Sequence, residues 1–197
     1  MSLYEDYIEY DNEKVISDIY YEWSKDINNQ RDIRIEAIEN YCGFVHRNIN
    51  GFLRGMAEIK PFQNYLDAIQ TMFFTAPSLP NNTILYRALP YDIIKIILSE
   101  IEIQGAYREK GLLSTSLNLK GISKFLESLE KTEMPVLKLY VPKRTPALYI
   151  EDIKGSGMGR GELEMILPRD STIKILRSPY KEDKYGYWIY ECNLEYE

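Results

Sequence analysis

The feature that most constrains this chain is a change of hydrophobic period at "APSLPNN", residues 76–82. Ahead of it, apolar residues recur at the spacing of a helix face. Beyond it, short runs alternate or stay apolar throughout, with glycine and proline between them. The first pattern predicts helices over 4–27 (through Tyr7, Ile8, Val15, Ile19 and Trp23) and over 31–48 (through Ile35, Ile38, Tyr41, Cys42 and Val45). A third helix is predicted over 61–75, with Pro61 at its first position. The second pattern predicts strands over 83–89, 111–117, 135–142, 147–153, 162–168, 171–177 and 185–196, with helices over 90–101 and 120–131. "PVLKLYVP" is the most regular of these, with Val136, Lys138 and Tyr140 on one face and Leu137, Leu139 and Val141 on the other. "KGSGMGRG" (154–161) has four glycines in eight residues and reads as a mobile loop. Helices followed by strands imply an α+β fold. We read residues 1–197 as a single domain, helical over 1–80 and β-rich and mainly antiparallel over 81–197.

Charge and cysteine content remove several classes of function. Lys plus Arg number 24 against 30 Asp plus Glu, a net charge of -6. That balance argues against non-specific binding to nucleic acid or to anionic membranes. Cys42 and Cys192 are too few for a disulfide scaffold and read as two buried thiols. The single histidine, His46, has no cluster of ligands at metal spacing around it, so no metal is expected. A Ser-His-Asp mechanism would have to use that same residue. The opening "MSLYEDYIEYDNEK" lacks the basic and apolar regions of a secretory signal, and no apolar run reaches membrane-spanning length. A soluble protein is expected, acting in the cytoplasm or exported or injected by another route.

Three short pieces carry candidate chemistry: "LYRAL" with Arg87, "GLLSTSL" with Ser114, Thr115 and Ser116, and "GRGELEMILP" with Glu162 and Glu164. Each alone has a plain explanation. An arginine in a strand snorkels to water, a Ser-Thr-Ser run is β-compatible surface, and paired glutamates form a solvated face. The glutamates nevertheless raise a question. Two residues two apart on a strand share a face, and like charges side by side repel.

Taken together and in this order, the pieces resemble the Arg–Ser–Glu class of mono-ADP-ribosyltransferases, which includes clostridial binary-toxin chains, Rho-modifying exoenzymes and phage enzymes. "LYVPKRTPALYI" and "ILPRDSTIKI" are similar to the family's flanking stretches, and the likeness covers residues 83–178. It implies helices ahead of a split β core, with NAD as substrate and no metal. Arg87 would hold the NAD diphosphate, since a planar guanidinium matches phosphate oxygens. Tyr86 and Ala88 flank it in the NAD-binding set, Ala88 standing where the family often has glycine. Glu164 would stabilise the oxocarbenium-like ribosyl cation formed as nicotinamide leaves. Ser114 would orient that glutamate. Thr115 and Ser116 would line the nicotinamide pocket, with Gly111 and Leu112 leading into it. Phe125 is matched to a clamping aromatic, while Lys120 and Lys124 stand where many relatives have a loop arginine.

In the family, glutamate at the position of Glu162 goes with arginine acceptors, and glutamine goes with asparagine or other side chains. A carboxylate there can attract a guanidinium and help remove its proton. The resemblance therefore implies transfer to a protein presenting an arginine, met by the loop 155–161. It also implies side NAD glycohydrolase activity, a toxin, effector or phage host-modifying role, and a possible translocation or antitoxin partner. Two alternatives stay open: a catalytically inactive binding module of the same fold, and a transferase acting on a non-arginine or nucleic-acid acceptor.

Overall fold

A computed structural model describes residues 4–29, 33–130, 134–153 and 161–196. The helical third contains α1 (Glu13–Asn29), α2 (Ile33–Asn40), α3 (His46–Leu53) and α4 (Gln63–Thr75). Ile27, Ile38, Ile49, Ile69 and Met72 from these helices form one core, which closes against Leu112, Leu148 and Ile166 from the β-rich part.

Two helical predictions are corrected. The first helix begins at Glu13, not at residue 4, because the segment before it is recruited by the sheet. Ile8 forms a parallel bridge with Thr83, donating its N–H to Asn82 O (2.9 Å) and accepting from Ile84 N–H (2.9 Å). Tyr4 and Tyr7 pack on Tyr140 with ring centroids 4.3 and 5.3 Å away. This pairing and aromatic burial outweigh a weak helical period. Within α1, Val15 is exposed and Ile16 takes the buried position. The second prediction, one helix over 31–48, fails at Gly43. There the chain kinks within Tyr41–Val45, its glycine taking φ -83°, ψ -127°, outside the helical region.

The remaining elements are β1 (Thr83–Ala88), α5 (Tyr91–Gln104), β2 (Tyr107–Glu109), β3 (Leu113–Ser116), α6 (Leu119–Ser128), β4 (Val136–Val141), β5 (Leu148–Tyr149), β6 (Glu164–Leu167), β7 (Ser171–Ile175), β8 (Tyr180–Lys181) and β9 (Trp188–Glu195). Among the described residues the strands run in the order β2-β7-β9-β4-β1-β3-β6-β5, with β8 paired to β9. β4 and β9 are parallel and the other pairs antiparallel. The alternation predicted for "PVLKLYVP" holds. Leu137, Leu139 and Val141 pack with Ile16 and Tyr20 of α1 and Ile94 and Ile97 of α5, while Val136 and Tyr140 pack with Ile122 and Leu126 of α6. Helices pack on both faces, and the mainly antiparallel sheet fits the predicted α+β class.

β2 and β8 are too short to have shown a period. "ALYIEDI" shrinks to Leu148–Tyr149 because the chain turns back, Ile153 N–H bonding Ile150 O at 2.9 Å. "ELEMILP" shrinks to Glu164–Leu167, which leaves Glu162 ahead of the strand. The predicted loop 154–161 lies outside the described residues except for Gly161.

One irregularity positions the site. β1 shares six register pairs with β4, and β3 shares four with β6. β1 and β3 share only Tyr86↔Ser116. The sheet therefore opens between them.

Candidate active site

Where the ladder stops, a side chain takes over. Past Tyr86↔Ser116 an antiparallel register would bring Ala88 opposite Ser114, but that rung is absent. Instead Arg87 Nη1 donates to the Ser114 carbonyl at 2.6 Å. A buried carbonyl must find a donor, and here the guanidinium supplies it. Among the described residues Arg87 forms no ion pair, so its charge is left for an anionic partner. Burial presses its pKa below the ordinary value, and the Glu109 carboxylate pushes the other way.

The opening holds a cavity of about 200 Å³. Arg87, Ser114, Glu162 and Glu164 all line it, as do Tyr86, Ala88, Thr115, Ser116 and Phe125. Every sequence-selected site residue is thus present except Gly111 and Leu112. These two lie behind the wall: Leu112 is 1% exposed in the helical core, and Gly111 donates its N–H to Glu109 Oε1 at 2.7 Å. They brace the approach to β3 instead of facing the cavity. Phe125 belongs to α6, not to a separate loop, and still reaches the cavity.

The two glutamates arrive by a route that alternation on a strand does not describe. Leu163 between them has φ 53°, in the left-handed region. A turn, not a pleat, brings both to the same cavity. Glu164 opens β6 opposite Ser116. Ser114, two residues back on β3, sits as a hydrogen-bonding neighbour of both Glu164 and the Tyr41 hydroxyl. Burial pushes the Glu164 carboxyl up to about 7; Ser114 opposes the shift, and the Glu162 and Glu151 charges add to it. A carboxyl titrating near neutrality beside a second carboxyl and a guanidinium is a common sign of a working site.

The turn is held from α6 as well. Asn118 caps that helix by accepting Gly121 N–H at 3.1 Å. A Cβ at Gly121 would overlap the Glu162 carbonyl oxygen and lie 3.0 Å from its carbon. Alanine in an open helix normally stabilises relative to glycine by about 1 kcal/mol. Here Gly121→Ala is expected to reverse that sign and displace Glu162, lowering turnover at this cavity by about 100-fold. A steady-state assay with a thermal melt checks both halves.

Part of the lining went unrecognised in the sequence. Tyr41, Cys42, His46 and Asn50 enter the cavity from the helical third. The kink at Gly43 delivers them. The available signal was Gly43, interrupting a helical run. Cys42 is only partly buried, contrary to expectation, with its thiol 3.9 Å from Glu164 Oε2, whereas Cys192 is fully buried. His46 Nδ1 donates to Gly43 O at 2.7 Å, which fixes its ring. Tyr41 is buried deeply enough to push its phenol up to about 12. Among the described residues no group of His, Cys, Asp and Glu side chains could hold a metal ion. Nor is any described helix long and apolar enough to cross a membrane.

Residues 14–191 match the family described as ADP-ribosyltransferase exoenzyme. No curated protein matches the chain. Solved structures are similar across nearly its whole length at low identity. The C3 exoenzyme of Clostridium limosum superposes with a TM-score of 0.66 at 20% identity, over 98% of each chain. C3stau2 from S. aureus, solved with NAD, gives 0.66 at 20% identity, over 93% of this chain and 96% of that one. BECa, the ADP-ribosylating toxin of a C. perfringens binary enterotoxin, solved with NADH, gives 0.70 at 16% identity, over 96% of this chain and 50% of that one.

Proposed function

Since the chain belongs to the ADP-ribosyltransferase exoenzyme family, we propose that it cleaves NAD between nicotinamide and ribose and passes the ADP-ribose to an arginine side chain of a protein. One observation carries this reading: Arg87, Ser114, Glu162 and Glu164 line a single cavity at the split of the sheet. The cavity suits a nicotinamide ring and its ribose, and the rest of a dinucleotide would lie on its open side. Arg87 would pair with the diphosphate. Phe125 and the Tyr86 ring would wall the ring pocket. Ionised Glu164, steadied by Ser114, would stabilise positive charge as it develops on the ribose. Glu162 would receive the incoming guanidinium and draw off its proton.

Incubating the protein with NAD should release nicotinamide slowly, and faster with a small guanidino acceptor. In the Glu162→Gln variant, transfer to that acceptor is expected to fall by about 100-fold or more, as for loss of a general base. Nicotinamide release without acceptor should stay within a few-fold of the parent. If the parent and the Glu162→Gln variant label a lysate equally, and the labelled residue is not arginine by mass spectrometry, the arginine reading is wrong. No nicotinamide release by the parent would instead favour the inactive binding module.

A further inference from the structure

We propose that Glu151 is a positioning residue for this chemistry, its carboxylate clasping the turn at residues 161–164 and thereby setting where Glu162 and Glu164 stand. The inference rests on the function proposed above. Glu151 follows β5 and does not line the cavity, so it acts only through other groups. Its Oε1 accepts the Gly161 N–H at 3.2 Å and its Oε2 accepts the Glu164 N–H at 3.4 Å. The Leu163 N–H also faces this carboxylate and favours its charged form.

The turn needs such a clasp. Gly161 and Leu163 both have positive φ, 68° and 53°. Glycine accepts this freely, but leucine does so at a strain that the surroundings must over-determine. Leu117 N–H bonds Leu163 O (3.2 Å), Ile150 N–H bonds Glu164 O (3.2 Å), and the Leu163 side chain is 3% exposed. These fix the carbonyls and the side chain of the turn, and Glu151 takes its amides. A carboxylate is the side chain able to accept several amides at once. Burial pushes its pKa up and the amide hydrogen bonds pull it back.

Glu151 also acts electrically on Glu164. The groups facing Glu164 are Ser114 and Arg87, which favour its charged form, Glu162 and Glu151, which oppose it, and the Tyr41 hydroxyl and Cys42 thiol beside it. Neutralising Glu151 should therefore move the acidic limb of the rate profile to lower pH. A purely structural residue would leave that limb in place.

The test compares the parent with Glu151→Gln and Glu151→Ala. Gln keeps the shape and one acceptor but no charge; Ala keeps neither. In the Ala variant, kcat for nicotinamide release is expected to fall by about 100-fold with KM for NAD little changed, the pattern of a misplaced reacting group. Gln should fall less and show the shifted limb. Independently of activity, amide hydrogen exchange at Gly161, Leu163 and Glu164 should accelerate by about tenfold or more in Ala, as hydrogen bonds to a charged acceptor are lost. Parent-like exchange at those three amides overturns the proposal, and so does parent-like kcat in both variants. Should Ala fail to fold, Gln carries both readouts. A parent that releases no nicotinamide sinks the transferase reading, and amide exchange still decides whether Glu151 holds the turn.

Discussion

Glu164→Gln should abolish most NAD turnover and yet yield a more stable protein at pH 8. Turnover is expected to drop by about a thousandfold, the scale for removing a preorganised electrostatic group. The stability gain follows from where Glu164 sits. Burial, with the Glu162 and Glu151 charges, raises its carboxyl from an ordinary 4.5 to about 7 despite Ser114 and Arg87. A folded-state pKa above the unfolded one means the folded chain holds the proton more tightly. The stability this contributes is complete below about pH 4.5 and is lost as pH rises through about 7. Above that range the ionised group strains the fold, and the neutral amide does not. The side chain borders an open cavity, so water screens part of the effect, and a gain of about 2 kcal/mol remains. Urea unfolding at pH 8 and pH 4 should show the variant ahead at the first and level at the second. In the parent, kcat/KM should fall as pH drops below about 7. The limb in kcat should lie lower, because the positive nicotinamide of bound NAD favours the ionised carboxylate.

Arg54→Ala should be the most damaging of the substitutions outside the cavity, at about 3 kcal/mol. Arg54 Nε and Nη2 each donate to Glu109 at 2.9 Å, one to each oxygen. The Glu109 side chain is 5% exposed and that of Arg54 29%. Removing Arg54 strands a buried carboxylate that also anchors Gly111 N–H at 2.7 Å, while Asn50 Oδ1 holds the next amide, Leu112 N–H, at 2.8 Å. Partial exposure of Arg54 lets water reach the gap, which keeps the loss at the lower end for a broken buried pair. Burial works to raise the Glu109 pKa, but the Arg54 hydrogen bonds and charge, with the Gly111 amide, hold it below the usual carboxylate range. Its stabilisation is present above the unfolded pKa and lost as pH falls through the folded one. The gap between parent and variant should therefore narrow below about pH 4. Denaturant midpoints across pH check this, and the same strand-entry damage should lower turnover through Ser114.

The sequence was most readable where period and burial agree. "PVLKLYVP" alternated and became an interior strand, and the polar set on β1, β3 and the turn before β6 converged on one cavity. It was least readable where tertiary partners decided the outcome. Tyr7 and Ile8 fit a helical face, but a bridge to Thr83 and stacking on Tyr140 drew them onto the sheet. Glu162 and Glu164 fit a strand face, but the left-handed Leu163 turned them by another path. A two-residue spacing reports the same side only when the backbone between is extended. Tyr41, Cys42 and His46 had no motif of their own, because a kink at Gly43, not a helix period, aims them. Glu151 was hidden as an ordinary acid at the end of an apolar run, since its partners are backbone amides and leave no mark on side-chain identity.

The single rung between β1 and β3 also bears on how the molecule holds together. Two half-sheets meet at that seam, joined by one ladder pair, by the Arg87 side chain and by helices laid across them. Arg87 stands on one half, and Ser114 and Glu164 on the other. A dinucleotide gripped at both would act as a strut across the seam, turning binding energy into adhesion between the halves. Without it the seam rests on that rung, on the Arg87 bond and on the core that Leu85 and Leu139 share with Leu113 and Met165.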